Sequence, residues 1–448
     1  MKTSIRIIAE YYNAETEEVI DSQILRSDKI KKPVTIKDLG YLHEEQIALI
    51  QSIQDIKLRH ETVLLNQDGV CPLCGKKTKA NGTRESNFHA ALTDHTIKIQ
   101  RRCCQCGWNS PDTIDGIYGS SSHPDLVEKQ LVQGAENSYR QASRQLNAES
   151  KKERSINNDD RIRRNLANVA KIIEKNKLAP TKEIEQSKAA KELVAVIDGG
   201  HLKSKDKESL SFEAMIATIY RPENIRKIDK HHNEITQKTS VGSALSDSQK
   251  TIKQLVLNAC FKEGSNAQVT KLTCLTDGAN NCWSITSSLQ PYCKELINVL
   301  DWFHITKRFT IINNRITDVD FKNKLDKVKW FLWHGEAESA LTRLTSLQSK
   351  INDEKLISDF QELYEYILRN QKYIVNYQER QTANLPFTST IAESSVNELI
   401  NTRQKNNKKM QWSREGAHNV LQIRASQFSK VWERDWAIAQ DEIYKKAA

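Results

Sequence analysis

The sequence predicts a multidomain α/β protein, and three observations carry that prediction. Two Cys-x-x-Cys pairs stand 28 residues apart in the first quarter of the chain. Apolar runs at Leu193–Ile197, Lys271–Leu275 and Leu296–Leu300 each lead within two residues to an aspartate. The stretch 305–385 then reads as almost wholly helical, rich in Lys, Glu, Gln and Leu. At 448 residues the chain is too long for one simple domain.

Composition narrows the class. With 38% hydrophobic and 28% charged residues, the chain is an ordinary globular protein. Its formal charge of +10 favours a polyanionic partner. No apolar run reaches the roughly 18 residues of a membrane span, and the first residues lack a secretory core, so no membrane role is expected. Without an export signal, the nine cysteines read as zinc ligands and free thiols rather than disulfides.

The elements follow in order. Residues 1–66 form an N-terminal β/α segment, with strand-like pieces at Ser4–Tyr12 and Glu18–Leu25 and a helix over 43–62. Residues 67–120 hold the first five cysteines, and 121–190 are a polar helical segment ending in a linker over 176–190. Residues 191–304 start with the buried strand Leu193–Ile197. Further strands are expected at Phe212–Tyr220, Glu234–Val241, Lys271–Leu275 and Leu296–Leu300, with a helix over Ser248–Phe261. Strand–strand–strand–helix–strand–helix–strand is the order an RNase H-like core requires. Residues 305–385 are then an all-α insertion, and 386–448 return to core helices.

Cys71, Cys74, Cys103 and Cys106 give two paired thiolates, each pair on a tight knuckle followed by Gly75 or Gly107. That spacing predicts one structural Zn²⁺ in a zinc ribbon, with Cys104 a spare thiol. Between 71 and 110 there are seven basic residues against two acidic ones, so the ribbon suits either phosphate contact or a plain structural role. His89 and His95 read as ordinary residues. Ser138–Leu146 and Asp160–Leu166 read as paired helices, either a helix-turn-helix presenting Arg, Asn and Gln to base edges or a connecting hairpin.

The carboxylates carry the chemistry. A carboxylate at the end of a buried strand is rigidly aimed, and leaving it bare costs several kcal/mol, so a partner or metal is expected. Asp198, followed by Gly199 and Gly200, meets that description, and Asp277-Gly278 repeats it. Asp301 and His304 share a helical face at i and i+3, where they bond each other, brace the core or approach a phosphate. Glu393 opens a helical run, with Glu398 its competitor on another face. Trp330 and Trp333 read as core residues, with base stacking the alternative.

These islands resemble the DDE transposases of bacterial insertion sequences, in the Mutator-like group with an RNase H-like catalytic domain. The likeness rests on the cysteine ribbon, Val196–Gly200, Thr276–Ala279, Leu300–His304 and Ala392–Arg403. It implies a catalytic triad of Asp198, Asp277 and Glu393 holding two Mg²⁺ or Mn²⁺ ions, with Asp301 and His304 at the Asp-x-x-His motif. Asp301 competes with Asp277 for the second place. It also implies double-stranded DNA as partner, both inverted-repeat ends and target. A homodimer or higher oligomer on DNA and a place on the bacterial nucleoid in the cytoplasm follow. A structure-specific nuclease and a non-catalytic zinc-ribbon regulator are the competing expectations.

Overall fold

The computed structural model describes residues 3–66, 69–152, 154–229, 233–390, 397–405 and 410–444. The chain divides into two compact units, Met1–Val169 with Trp436–Ala448, and Ala170–Asp435.

The first unit opens on an antiparallel hairpin, β1 (Ser4–Tyr12) and β2 (Val19–Lys29). A lone hairpin is marginal in water, so it needs a partner element. Arg26 of β2 supplies one link, bonding Glu45 in the first turn of α1 (His43–Val63) at 2.5 Å and Asp28 at 2.7 Å. A second hairpin joins β3 (Lys79–His89) to β4 (Asp94–Cys103). Ile97 and Ile99 of β4 and Ile114 of α2 (Ile114–Tyr118) form a small core, with Leu58 of α1 and Phe88 against it. The cysteine hairpin and the preceding helix therefore share one core.

Arg154, almost fully buried, pins the turn of that hairpin. It donates to Asp94 and to the carbonyls of Ala90, Ala91 and Thr93. His89 bonds Asp94 at 2.7 Å, and His95 is held between Asp55 and Thr93. Three helices follow: α3 (Pro124–Glu136), α4 (Tyr139–Glu149) and α5 (Asp159–Leu178). Ala142 and Leu146 of α4 pack on Ile162 of α5. Residues 150–158 separate α4 from α5, a longer link than the roughly three or four residues of a helix-turn-helix turn. The tight turn lies instead between α3 and α4, at Asn137 and Ser138.

The second unit is built on β5 (Glu192–Lys203), β6 (Ser211–Tyr220), β9 (Thr239–Ser243), β10 (Lys271–Thr276) and β11 (Glu295–Leu300). Between β6 and β9 a side hairpin pairs β7 (Ile225–Lys227) with β8 (Asn233–Ile235). The strand expected over Glu234–Val241 is thus two strands. The chain turns at Thr236, whose N–H and hydroxyl both donate to the Asn224 carbonyl. The main sheet runs β11-β10-β5-β6-β9. β10 lies parallel between β5 and β11, while β6 is antiparallel to β5 and to β9.

Both faces of the sheet are covered, which is why its central strands read as continuous apolar runs. On one face Leu193, Ala195, Ile197, Met215 and Ala217 meet α6 (Lys250–Glu263) and α7 (Asn280–Ser287). On the other, Val194, Val196, Leu275 and Val299 meet the helical stretch. That stretch comprises α8 (Trp302–Asn313), α9 (Val319–Trp333), α10 (Ala337–Gln348), α11 (Glu354–Asn370) and α12 (Tyr377–Thr382). A π-helical segment, Asn397–Lys405, and the helix Arg414–Phe428 follow. The latter lies along β9, where Gln422 donates to the Gly242 carbonyl and the Ser240 N–H donates to Ser429. The last helix is Trp432–Ile443. No helix among the described residues is long and apolar enough to cross a membrane.

Candidate catalytic site and cysteine cluster

Strand register brings three aspartates side by side. Ile197 pairs with Thr276, and Thr276 with Leu300, in two parallel ladders. The next residue on each strand is Asp198, Asp277 and Asp301. Side chains alternate along a strand, so these residues continue the rows Val194–Val196, Thr273–Leu275 and Ile297–Val299. All three belong to the face covered by the helical stretch.

Their environments differ. Asp198 is half-buried, and among the described residues its Oδ1 accepts only the N–H of the next residue, Gly199, at 2.6 Å. Burial pushes its carboxyl up to about 6. The charges of Asp277 and Asp301 push the same way, while His304 and the Gly199 N–H pull back. β5 does not stop at Asp198, as its apolar run suggests; it continues to Lys203, paired with β6. Only the parallel pairing ends there, so Asp198 stands where the β10 neighbour turns away.

Asp277 is also half-buried, and its Oδ1 accepts the Ala279 N–H at 2.9 Å. Its loop is clamped by α11. Tyr366 donates to the Asp277 carbonyl at 2.9 Å. Gly278, at φ +91°, leaves no room for a Cβ, which would lie 2.7 Å from Asn370 and 2.8 Å from Leu300. Asn370 is itself held by the Trp283 indole N–H at 2.9 Å. Beneath the loop, burial drives the Cys282 thiol well above its ordinary range, with the Asp277 charge adding to it.

Asp301 is 1% exposed and its oxygens are engaged. It caps α8 by accepting the Phe303 N–H at 3.0 Å. It also accepts the N–H and the hydroxyl of Ser389. His304 Nε2 lies 3.6 Å away, on a side chain 22% exposed. Of the roles open to Asp301, the geometry matches bracing: its oxygens accept three bonds, whereas among the described residues Asp198 and Asp277 each accept one from a neighbouring N–H.

Glu393 lies outside the described residues, as do Ala392 and Ser394. The chain on either side of 391–396 is anchored at the aspartate row. Before it, Ser389 is bonded to Asp301, and the Phe387 carbonyl accepts the Trp302 N–H. After it, Ile400 sits on Gly200, so closely that a Cβ there would lie 2.7 Å from its Cδ1. Glu398 is exposed, and its charge acts on Lys238, which sits 3.5 Å over the Phe428 ring.

Three groups near the row escaped the sequence reading. Glu213 on β6 crosses Gly199 and accepts from Asn281 at 2.7 Å. Its signal was present, as the one charged residue within Phe212–Tyr220. Lys405 is drawn down by burial; Asp198 opposes that shift and Lys307 reinforces it, which puts two cations within electrostatic reach of the site. Lys307 lies one turn beyond His304 on α8, a spacing that could have flagged it. Lys405 carries no such signal. Of the two tryptophans, Trp333 packs against Trp302, Tyr377 and Phe387. Trp330 departs from the core expectation, because it is 53% exposed and its ring centroid lies 4.0 Å from that of His334.

In the first unit, Cys71, Cys74, Cys104 and Cys106 converge, their sulfurs all within 4.8 Å of one another. Cys71 lies 3.6 Å from Cys106, and Cys74 3.5 Å from Cys104. This four-thiol cluster can hold a structural zinc ion. It corrects the choice of Cys103. That residue is the last of β4, paired with Lys79 and bridged to Asn109. Its neighbour Cys104 begins the turn, where its carbonyl accepts the Gly107 N–H. Adjacent strand residues point to opposite faces, so only one of the two thiols can join the cluster. Burial works to raise the Cys71 thiol, but the backbone N–H groups of Cys74 and Leu73 and the thiols of Cys106 and Cys74 pull it down, while the neighbouring thiols push Cys74 the other way.

A sheet whose parallel ladders each lead directly to an aspartate and a separate four-cysteine unit define the class: a two-unit α/β protein with a thiol cluster suited to zinc. The chain belongs to an uncharacterised protein family, UPF0236, whose model matches residues 113–440. The matched span takes in all three aspartates and begins after the cysteine cluster. No curated protein matches the chain.

Proposed function

We propose that the protein is a DDE-type DNA transposase whose catalytic core is RNase H-like. The observation that carries this reading is the register: Asp198, Asp277 and Asp301 follow directly on three paired positions of parallel strands. The sheet order supports it, with three antiparallel strands and two parallel ones joined through helices. So does the anchoring of both flanks of the Glu393 segment at the same row.

The residues fit divalent metal. Asp198 and Asp277 bring two carboxylates together with few protein donors between them, and their mutual repulsion is part of what raises Asp198. Hard oxygen donors suit Mg²⁺ or Mn²⁺. In this reading Asp198, Asp277 and Glu393 would hold two such ions, which would supply Lewis-acid polarisation and lower the pKa of a bound water. The protein's own groups do the rest. Asp301 caps α8 and tethers Ser389. His304, Lys307 and Lys405 offer positive charge to a backbone phosphate. Asn370 and Tyr366 hold the Asp277 loop against α11. Hydrolysis of a phosphodiester at an element end frees a 3′-OH, and that hydroxyl then attacks a target phosphodiester, joining to its phosphorus as the target strand's 3′-oxygen leaves as a hydroxyl.

The test uses purified protein, DNA carrying the inverted repeats that flank its reading frame, and Mg²⁺. Strand cleavage followed by joining to target DNA is the expected result, and Asp198→Ala abolishes both. Cleavage without joining indicates a structure-specific nuclease. Binding that Asp198→Ala leaves unchanged, with no cleavage by wild type, indicates a regulator.

A further inference from the structure

The first unit contains a cavity of about 310 Å³ between the Gly119–Ser122 loop, α3 and the flank of α5. Its lining includes Asp115, Ser121, Val127, Arg161, Asn165 and Val169. Its volume is in the range of small-ligand pockets.

The polar groups facing this space are short of partners. The guanidinium of Arg161 is half-buried, and among the described residues it has no acceptor, although it carries five N–H donors. Other arginines of the unit are used differently: buried Arg154 bonds Asp94 and three carbonyls, and part-buried Arg102 bonds Thr78. The Asn165 amide N donates to Gln130 at 2.7 Å, which leaves its carbonyl oxygen without a donor among the described residues. The carboxylate of Asp115 and the hydroxyl of Ser121 are likewise unbonded among those residues. Buried Val127 and Val169 give the cavity an apolar floor.

This lining asks for a particular ligand. Arg161 calls for an anion, and a planar guanidinium matches a phosphate. Asp115 would repel a bare anion but accepts hydrogen bonds, as does Asn165. The apolar floor suits a flat or aliphatic body. We propose that this cavity binds a nucleotide unit, its phosphate on Arg161, its base or sugar over Val127 and Val169, and its donor groups on Asp115 and Asn165. The same unit can come from a free nucleotide or from a nucleic-acid strand. The proposal concerns the first unit alone and does not rest on the metal chemistry of the aspartate row.

The experiment is isothermal titration of the full chain with two probes, deoxyadenosine 5′-monophosphate and a short single-stranded oligodeoxynucleotide. Arg161→Gln is compared with Arg163→Gln, an exposed arginine on the same helix that serves as a charge control. Binding of at least one probe is expected. Arg161→Gln should weaken it at least about tenfold, the scale of one charged hydrogen bond, while Arg163→Gln changes it less than about twofold. Binding of the mononucleotide marks a free nucleotide as the ligand, and binding of the oligonucleotide alone marks a strand. Should Arg161→Gln not fold, Ser121→Leu occludes the cavity without touching the arginine and is expected to weaken binding as well. Failure of both probes to bind wild type overturns the proposal. So does equal weakening by Arg161→Gln and Arg163→Gln.

Discussion

Asp198, Asp277 and Asp301 occupy equivalent register positions, yet their surroundings assign them opposite energetic signs. Asp301 is buried and bonded to Phe303 and Ser389, so Asp301→Ala strands buried donors. A loss of roughly 3 kcal/mol is expected, read as a lower midpoint in urea unfolding. Asp198 is held in a state that opposes its charge. Between the ordinary carboxylate value, about 3.9, and about 6, the folded protein keeps a proton there that the unfolded chain has lost. Metal-free stability therefore falls as pH rises through that window, by the sign of proton linkage. Asp198→Asn is expected to leave the metal-free protein at least as stable as wild type at pH 7 while removing metal-dependent cleavage. Asp94 behaves in the other sense. Burial works to raise it, but His89 and Arg154 outweigh that and hold it well below the usual range. Its contribution is present above about pH 3.9 and is lost as pH falls from there.

At the scale of elements, much was legible because the central strands are buried on both faces. β5, β10 and β11 announced themselves as apolar runs, and the helical character of 305–385 was plain from its composition. What the sequence withheld was tertiary. No local pattern says that β5 runs on past Gly199 and Gly200, because that extension depends on pairing with β6. Spacing favoured Cys103 over Cys104 and pointed to the wrong thiol, because the choice depends on where β4 ends. The consequence is measurable. Cys104→Ser is expected to lose the bound zinc, counted by elemental analysis, while Cys103→Ser keeps about one ion per chain, as a four-thiolate site requires. The Asp277 loop gives a second element-scale test. Gly278→Ala must displace Asn370 or Leu300 at a positive φ. It should cost on the order of 2 kcal/mol and slow cleavage together, since the same contact positions Asp277.

For the whole molecule, two units and one family-matched span organise the account. Composition and patterning divide the chain into six segments. The structure joins the N-terminal helix, the cysteine hairpin and α2 through a shared core, which no single segment reveals by itself. The helical stretch inserted after β11 covers the sheet face that bears the aspartates and clamps the Asp277 loop through Tyr366 and Asn370. The most direct test of the aspartate row is Mn²⁺ binding, followed by calorimetry and electron paramagnetic resonance on zinc-loaded protein. Two Mn²⁺ ions per wild-type chain are predicted, with binding lost in Asp198→Ala and in Asp277→Ala and reduced in Glu393→Ala. Unchanged Mn²⁺ stoichiometry and affinity in the Asp198 and Asp277 variants would contradict the account.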